Sequence, residues 1–210
     1  MKKRLILTLL LISLCITGSY EHKAIKTKPF PEYADFRTTL SYIKYHEGWY
    51  ANYKDDKGKE TYCGITRRYS PSWYGWRHID AYKRNYGPLA AHQYLPELDL
   101  WITDYYLDIW IKEGFYRLKN QKTADYLFDF RINAGMGAFL IKQTLREIGF
   151  KTNVDNKLTE DDILLINKLN QARFLKKVKS KRVWLYTYLA KSDTTQKKWL
   201  KGWMKRANKI

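Results

Sequence analysis

The chain has 210 residues, 39 Lys+Arg against 21 Asp+Glu, a formal net charge of +18, 45% hydrophobic and 16% aromatic residues. That composition excludes a disordered chain and a coiled-coil rod, while 11 Gly, 5 Pro and 2 Cys exclude collagen-like and disulfide-rich classes. A mean hydropathy of −0.59 excludes a multi-pass membrane protein.

In chain order, Lys2, Lys3 and Arg4 precede an apolar run from Leu5 to Ile16, and Thr17-Gly18-Ser19 supplies small residues. This is the plan of a signal peptide over residues 1–19, because the run is shorter than the ~20 residues that a bilayer crossing needs. A retained anchor and a lipoprotein linked through Cys15 are the competing readings, the latter weakened by Leu14 where a small residue is normal. Export would leave Cys63 as the lone cysteine, so the fold must be held by its core without an intrachain disulfide. Residues 20–33, with Pro29 and Pro31, read as a lead-in.

Phe36, Leu40 and Ile43 are spaced as one face of a helix, and Gly48 supplies its stop. Glu47 then sits in the last turn, where the helix dipole disfavours a carboxylate and should raise its pKa. Residues 50–66 carry strand formers on both sides of Asp55, Asp56 and Gly58, so a short hairpin is expected. An aromatic loop follows from Ser70 to Trp76, then helical stretches broken at Pro88 and Pro96. Asp99 is the expected cap of a helix that ends at Gly114. Further helices are expected over Thr123–Ala134 and Ala138–Ile148, along the apolar run Ile163–Leu175 behind a capping box at Thr159–Asp162, and over Gln196–Ala207.

The basic residues are scattered, with clusters at Lys176–Arg182 and from Lys197 to Arg206, and no zinc-finger or RNA-recognition motif accompanies them. Together with export, this favours an anionic cell envelope over nucleic acid as partner. A solvated surface that only confers solubility is the competing reading of each cluster.

The candidate chemistry lies at Glu47, Asp56 and Thr61, where a helix end feeds a hairpin. Glycosidic cleavage needs one carboxylic acid to protonate the leaving oxygen and usually a second carboxylate across the sugar. Glu47, beside Trp49 and Tyr50, suits the acid; Asp56, or its neighbour Asp55, suits the ionised partner; Thr61 suits the positioning of water by its hydroxyl. The alternative is an ordinary surface glutamate followed by ordinary turn aspartates. Trp73 and Trp76 are candidate sugar-stacking rings or core residues, and Asp129 and Asn133 are candidate glycan ligands or partners of buried backbone. His46 is a candidate tuner of Glu47. No zinc pattern, cysteine nucleophile motif or phosphate loop is present in the sequence, so no metal or cofactor is expected.

Glu47-Gly48-Trp49-Tyr50 followed by Asp56 through Thr66 resembles the signature of glycoside hydrolase family 108, E-G-G-Y and then D-x-G-G-x-T-x-x-G-I-T, without a gap. Phe128 through Ala138 is similar to the family's F-D-F-x-x-N-x-G-x-x-x-A segment, with one residue fewer before its alanine, and Gly202 through Arg206 to its closing G-W-x-x-R. Trp49 and Lys59 replace glycines of the pattern, and residues 154–159 lack the glycines of its D-G-x-x-G-x-x-T turn. The resemblance implies a mainly α, lysozyme-like α+β fold, a catalytic region over 34–120 and a helical peptidoglycan-binding-type region over 121–210. It implies a muramidase cutting between N-acetylmuramic acid and N-acetylglucosamine, with Glu47 as acid and Tyr50 among the sugar contacts. A monomer acting on peptidoglycan glycan strands is expected. A lytic transglycosylase and a catalytically silent wall-binding or secretion-accessory module are the alternatives.

Overall fold

In the computed structural model, residues 32–53 and 59–209 are described. The leader expected at 1–19 and most of the lead-in therefore lie outside the described residues, as do Asp55 and Asp56. Helix α1 (Phe36–Glu47) begins where Asp35 accepts a hydrogen bond from the Arg37 N–H at 3.1 Å, and buries Thr39, Leu40 and Ile43. It stops at Gly48, whose φ of +68° few other residues tolerate.

The expected hairpin is present and gains a third strand. Strands β1 (Tyr50–Asn52), β2 (Glu60–Tyr62) and β3 (Ile65–Thr66) form an antiparallel sheet in the order β1-β2-β3. Tyr50 pairs with Tyr62, and Tyr62 with Ile65. Cys63 and Gly64 form the two-residue connection between β2 and β3, with φ of +46° and +78°. Positive φ at both positions matches the twist that such a tight turn needs. Buried Glu60 anchors the sheet to helix α2 (Gly75–Tyr86): it accepts from Tyr50 Oη at 2.8 Å and pairs with Lys83 and Arg67, and Arg67 grips Asp80 through two hydrogen bonds.

Helix α3 (Asp99–Lys112) turns Ile102, Tyr106 and Trp110 inward at four-residue spacing. Asp99 does not cap it as expected; its carboxylate instead accepts from Lys44 at 3.0 Å and Tyr94 at 2.7 Å, tying α3 to α1. Helix α4 (Gln121–Asn133) is buried around most of its circumference and is the axis of the molecule, touching α1, helix α5 (Gly137–Glu147) and helix α7 (Gln171–Ser192).

The capping box is complete before helix α6 (Glu160–Asn167), with Asp162 completing it in place of Glu. The apolar run Ile163–Leu175 is not one helix: Asn170 caps α7 by accepting from the Arg173 N–H, so the chain breaks between α6 and α7. The expected last helix is divided too, into a 3-10 segment (Thr194–Trp199) and helix α8 (Leu200–Ala207). The molecule is mainly α with a small antiparallel sheet, and Glu32–Ile210 forms one compact unit that spans the expected boundary at 120/121. No helix of the described residues is long and apolar enough to cross a membrane.

Candidate active site

Glu47 closes α1 and faces the β2–β3 turn. A Cβ on Gly64 would lie 2.8 Å from Glu47 Cγ and Cδ and 2.7 Å from Tyr106 Oη, so the glycine both permits the turn and makes room for the carboxylate arm. Tyr106 donates its hydroxyl to the Cys63 carbonyl at 2.7 Å, which locks α3 against the same turn. Burial, then the nearby Glu47 charge, push the Tyr106 phenol well up and the Cys63 thiol to about 12.

The other side of Glu47 belongs to the end of the chain. Arg206, on α8, donates through Nη2 to Glu47 Oε1 and also to Asp129, which it holds through Nε at 2.8 and 3.0 Å. Asp129 in turn accepts from Arg182 Nη2 at 2.6 Å. Glu47, Arg206, Asp129 and Arg182 thus form a row of alternating charges that closes with no net charge when both carboxylates are ionised. Asp129 and Arg182 are fully buried, and the side chains of Glu47 and Arg206 are only 12% and 11% exposed. Burial alone would raise the Asp129 pKa, but Arg206 and Arg182 outweigh it and hold the carboxyl below its ordinary range. Burial would lower the Arg206 pKa, and Glu47 and Asp129 outweigh it to raise it.

Neighbouring contacts fix both arginines. The Arg182 guanidinium lies 5.1 Å from the Tyr126 and Phe130 ring centroids, and its Nε donates to Tyr186 Oη at 2.9 Å. Tyr186 donates its own hydroxyl hydrogen bond to Asn133 Oδ1 at 2.7 Å and stacks on Trp203 of α8. Tyr126 Oη donates to the Ala207 carbonyl at 3.0 Å, pinning the α8 end beside Arg206.

The residues singled out from sequence divide into two groups. Glu47, Asp129 and Asn133 are joined in this one network. Asp129 has no exposed surface and its oxygens are taken by the two arginines, so its place is structural rather than a glycan contact. Tyr50, Trp73 and Trp76 are core residues, 4%, 8% and 2% exposed. The Tyr50 hydroxyl is used on Glu60, and the Trp73 and Trp76 ring N–H groups donate to the carbonyls of Trp101 and Ser70, which leaves no free face for a sugar. Thr61 lies in β2 between Ala51 and Thr66, half-buried, with its hydroxyl donating to Lys59 O at 3.3 Å. Asp56 and Asp55 lie outside the described residues. His46 packs on Tyr42 and Tyr45 and approaches Lys209 at 3.2 Å, rather than Glu47. Among the described residues no group of three His, Cys, Asp or Glu side chains could hold a metal ion.

Arg206, Arg182, Tyr106 and Gly64 were not among the site residues expected from sequence, although Arg206 closes the G-W-x-x-R motif and Gly64 lies in the Asp56–Thr66 signature. Both arginines sit in clusters expected on the surface, yet they are interior counter-ions. Arg182 is legible in retrospect, because Leu175, Val178, Leu185 and Tyr186 place it on the buried stripe of α7.

Residues 40–135 match the family model for glycosyl hydrolase 108. No curated protein and no solved structure matches the chain. The match covers Glu47, the sheet and Asp129 and ends before Arg182 and Arg206, so the arginines that complete the ionic row come from the chain beyond it. Over this segment, which seats Glu47 at the end of α1 against a small antiparallel sheet, the chain is similar to glycosyl hydrolase 108, and the match supports glycoside hydrolase activity.

Proposed function

We propose that the protein cleaves peptidoglycan as an N-acetylmuramidase, with Glu47 as general acid. The observation that carries this reading is the setting of Glu47: a nearly buried carboxylate at the junction of helix and sheet, inside the family segment, with glycine opposite it and a guanidinium on its far side. Hydrolysis breaks the bond between the anomeric carbon and the bridging oxygen. Glu47 gives its proton to that oxygen, and water supplies hydroxide to the anomeric carbon and a proton to a base.

For that transfer the Glu47 carboxyl must leave Arg206. Asp129 makes this feasible, because its own contacts to Arg206 keep the guanidinium in place while Glu47 turns to substrate. The second carboxylate falls to Asp56 or its neighbour Asp55, and the placing of water to Thr61. The run of residues 1–19 supports export to the envelope, where the basic surface would meet an anionic wall.

Mass spectrometry of fragments released from purified peptidoglycan tests the bond and the chemistry. Fragments with hydrated muramic-acid reducing ends support the reading. Anhydromuramic ends would instead make the enzyme a lytic transglycosylase, and N-acetylglucosamine reducing ends would place the cut at the other glycosidic bond.

A further inference from the structure

Helix α7 contains no Asp or Glu anywhere between Gln171 and Ser192. One side of it serves the core and the ionic row, burying Leu175, Val178, Arg182, Leu185 and Tyr186. No step of the proposed reaction uses the other side. There Arg173, Lys177, Trp184, Tyr188 and Lys191 follow one another at steps of four, seven, four and three residues, which lines them along one face, and each is exposed. At 1.5 Å per residue the stripe is about 27 Å long.

Three features of this stripe point to a flat, anionic and partly apolar partner. First, Arg173, Lys177 and Lys191 have no carboxylate partner among the described residues. The neighbouring Glu147 is already taken, accepting from Lys181 at 2.7 Å, so a polyanionic surface can meet the three cations without displacing an internal partner. Second, Trp184 and Tyr188 are 55% and 54% exposed in the midst of these cations, an aromatic pair that a face serving only solubility does not need. Their rings stack on each other with centroids 5.6 Å and planes 14° apart, so the sides they turn to each other are closed to a nucleic-acid base. Third, Arg182 stands two residues from Trp184, about 200° round the helix, and reaches Asp129 at 2.6 Å. A surface lying on the stripe is therefore on the side of α7 away from the ionic row that ends at Glu47.

We infer that this stripe docks the protein on an anionic lipid bilayer, with Arg173, Lys177 and Lys191 on headgroup phosphates and the Trp184–Tyr188 pair at headgroup level, where amphipathic rings settle. A linear phosphate polymer would satisfy the cations but leave the aromatic pair idle, which is why the bilayer is favoured. The inference does not rest on the muramidase reading, since it uses no residue of that site.

The test is co-sedimentation of residues 20–210 with vesicles of phosphatidylglycerol and phosphatidylethanolamine in equal parts, beside vesicles of phosphatidylcholine alone. This chain keeps the compact unit Glu32–Ile210 and omits the apolar run from Leu5 to Ile16, which would bind lipid by itself. The expected result is saturable binding to the anionic vesicles and at least about tenfold weaker binding to phosphatidylcholine. Each cation at the surface is worth about fivefold, so Arg173→Gln/Lys177→Gln/Lys191→Gln should bind roughly 100-fold more weakly. Lys201→Gln/Lys205→Gln/Lys209→Gln removes the same charge from α8 and beyond, and should stay within about threefold of wild type. Trp184→Ala should bind at least about fivefold more weakly while every charge is kept. All the substituted residues are exposed, so each variant should keep the wild-type circular dichroism spectrum. Absence of binding to anionic vesicles, or equal losses from the two triple variants, would overturn the inference. Full binding by Trp184→Ala would overturn it too, in favour of a linear polyanion held by charge alone. Peptidoglycan cleavage by the same wild-type sample bears on the muramidase reading only, so the two can fail separately.

Discussion

Replacing Arg206 by glutamine removes the cation that stands between two carboxylates. Asp129, with no exposed surface, would keep only Arg182 and lose every contact it accepts from Arg206; Glu47, 12% exposed, would lose its ion-pair partner. Stripping one partner from a buried pair costs about 3–5 kcal/mol, because the remaining charge is left without solvent or counter-ion. Since Arg182 still compensates Asp129, the lower end applies, about 3 kcal/mol. At ~2–4 °C per kcal/mol for a domain of this size, that is roughly 6–12 °C in Tm. Urea unfolding followed by tryptophan fluorescence measures the loss directly. A second arm uses Asp129→Asn alone and combined with Arg206→Gln: the double variant should cost less than the sum of the singles by about 0.5–3 kcal/mol, since each single strands the other's charge. A loss below about 1 kcal/mol for Arg206→Gln, as for an exposed ion pair, together with additive singles, would refute the buried ionic row.

Gly64→Ala adds one methyl at φ +78°, 2.8 Å from Glu47 Cδ. The left-handed backbone alone costs about 1–2 kcal/mol, and displacement of the carboxylate by about an ångström should lower cleavage roughly 100-fold, a loss that exceeds the stability effect. A variant with near wild-type turnover would show that Glu47 tolerates movement. The acid limb of stability should carry the signature of Asp129. Its folded pKa lies below the unfolded value of about 3.9, so its contribution is present above that pH and is lost as pH falls towards the lower folded value. Unfolding free energies between pH 5 and 2 should therefore fall more steeply for wild type than for Asp129→Asn, and parallel curves would contradict this. Cys63 is fully buried with its thiol pushed up to about 12, so iodoacetamide at pH 8 should leave Cys63 unmodified in the native protein and label it in urea. Rapid native labelling would argue against the packed turn.

Local signals in the sequence carry far: the Phe36–Ile43 stripe with Gly48 beyond it marks α1, and Thr159 with Asp162 marks the start of α6. These features depend on neighbours within a turn or two of helix, which is the range over which periodicity and capping act. Contacts that depend on the folded chain were not legible. Arg206 meets Glu47 across 159 positions and Arg182 meets Asp129 across 53, and a count of charges cannot distinguish such interior arginines from a basic surface. The aromatic run from Trp73 to Trp76 carries the composition of both a sugar platform and a core, and only the partners of the indole N–H groups decide for the core. Asp99 has the residue type and position of a cap, but Lys44 and Tyr94 offer it stronger partners than its own helix does.

The claim that Glu47 supplies the proton is tested most directly by the rate at which reducing ends appear from purified peptidoglycan, wild type beside Glu47→Gln. A positioned general acid contributes about 10²–10⁴-fold, so the variant should be slower by at least 100-fold while its circular dichroism spectrum stays that of wild type. A variant within a few-fold of wild type would contradict the assignment of Glu47 as the acid.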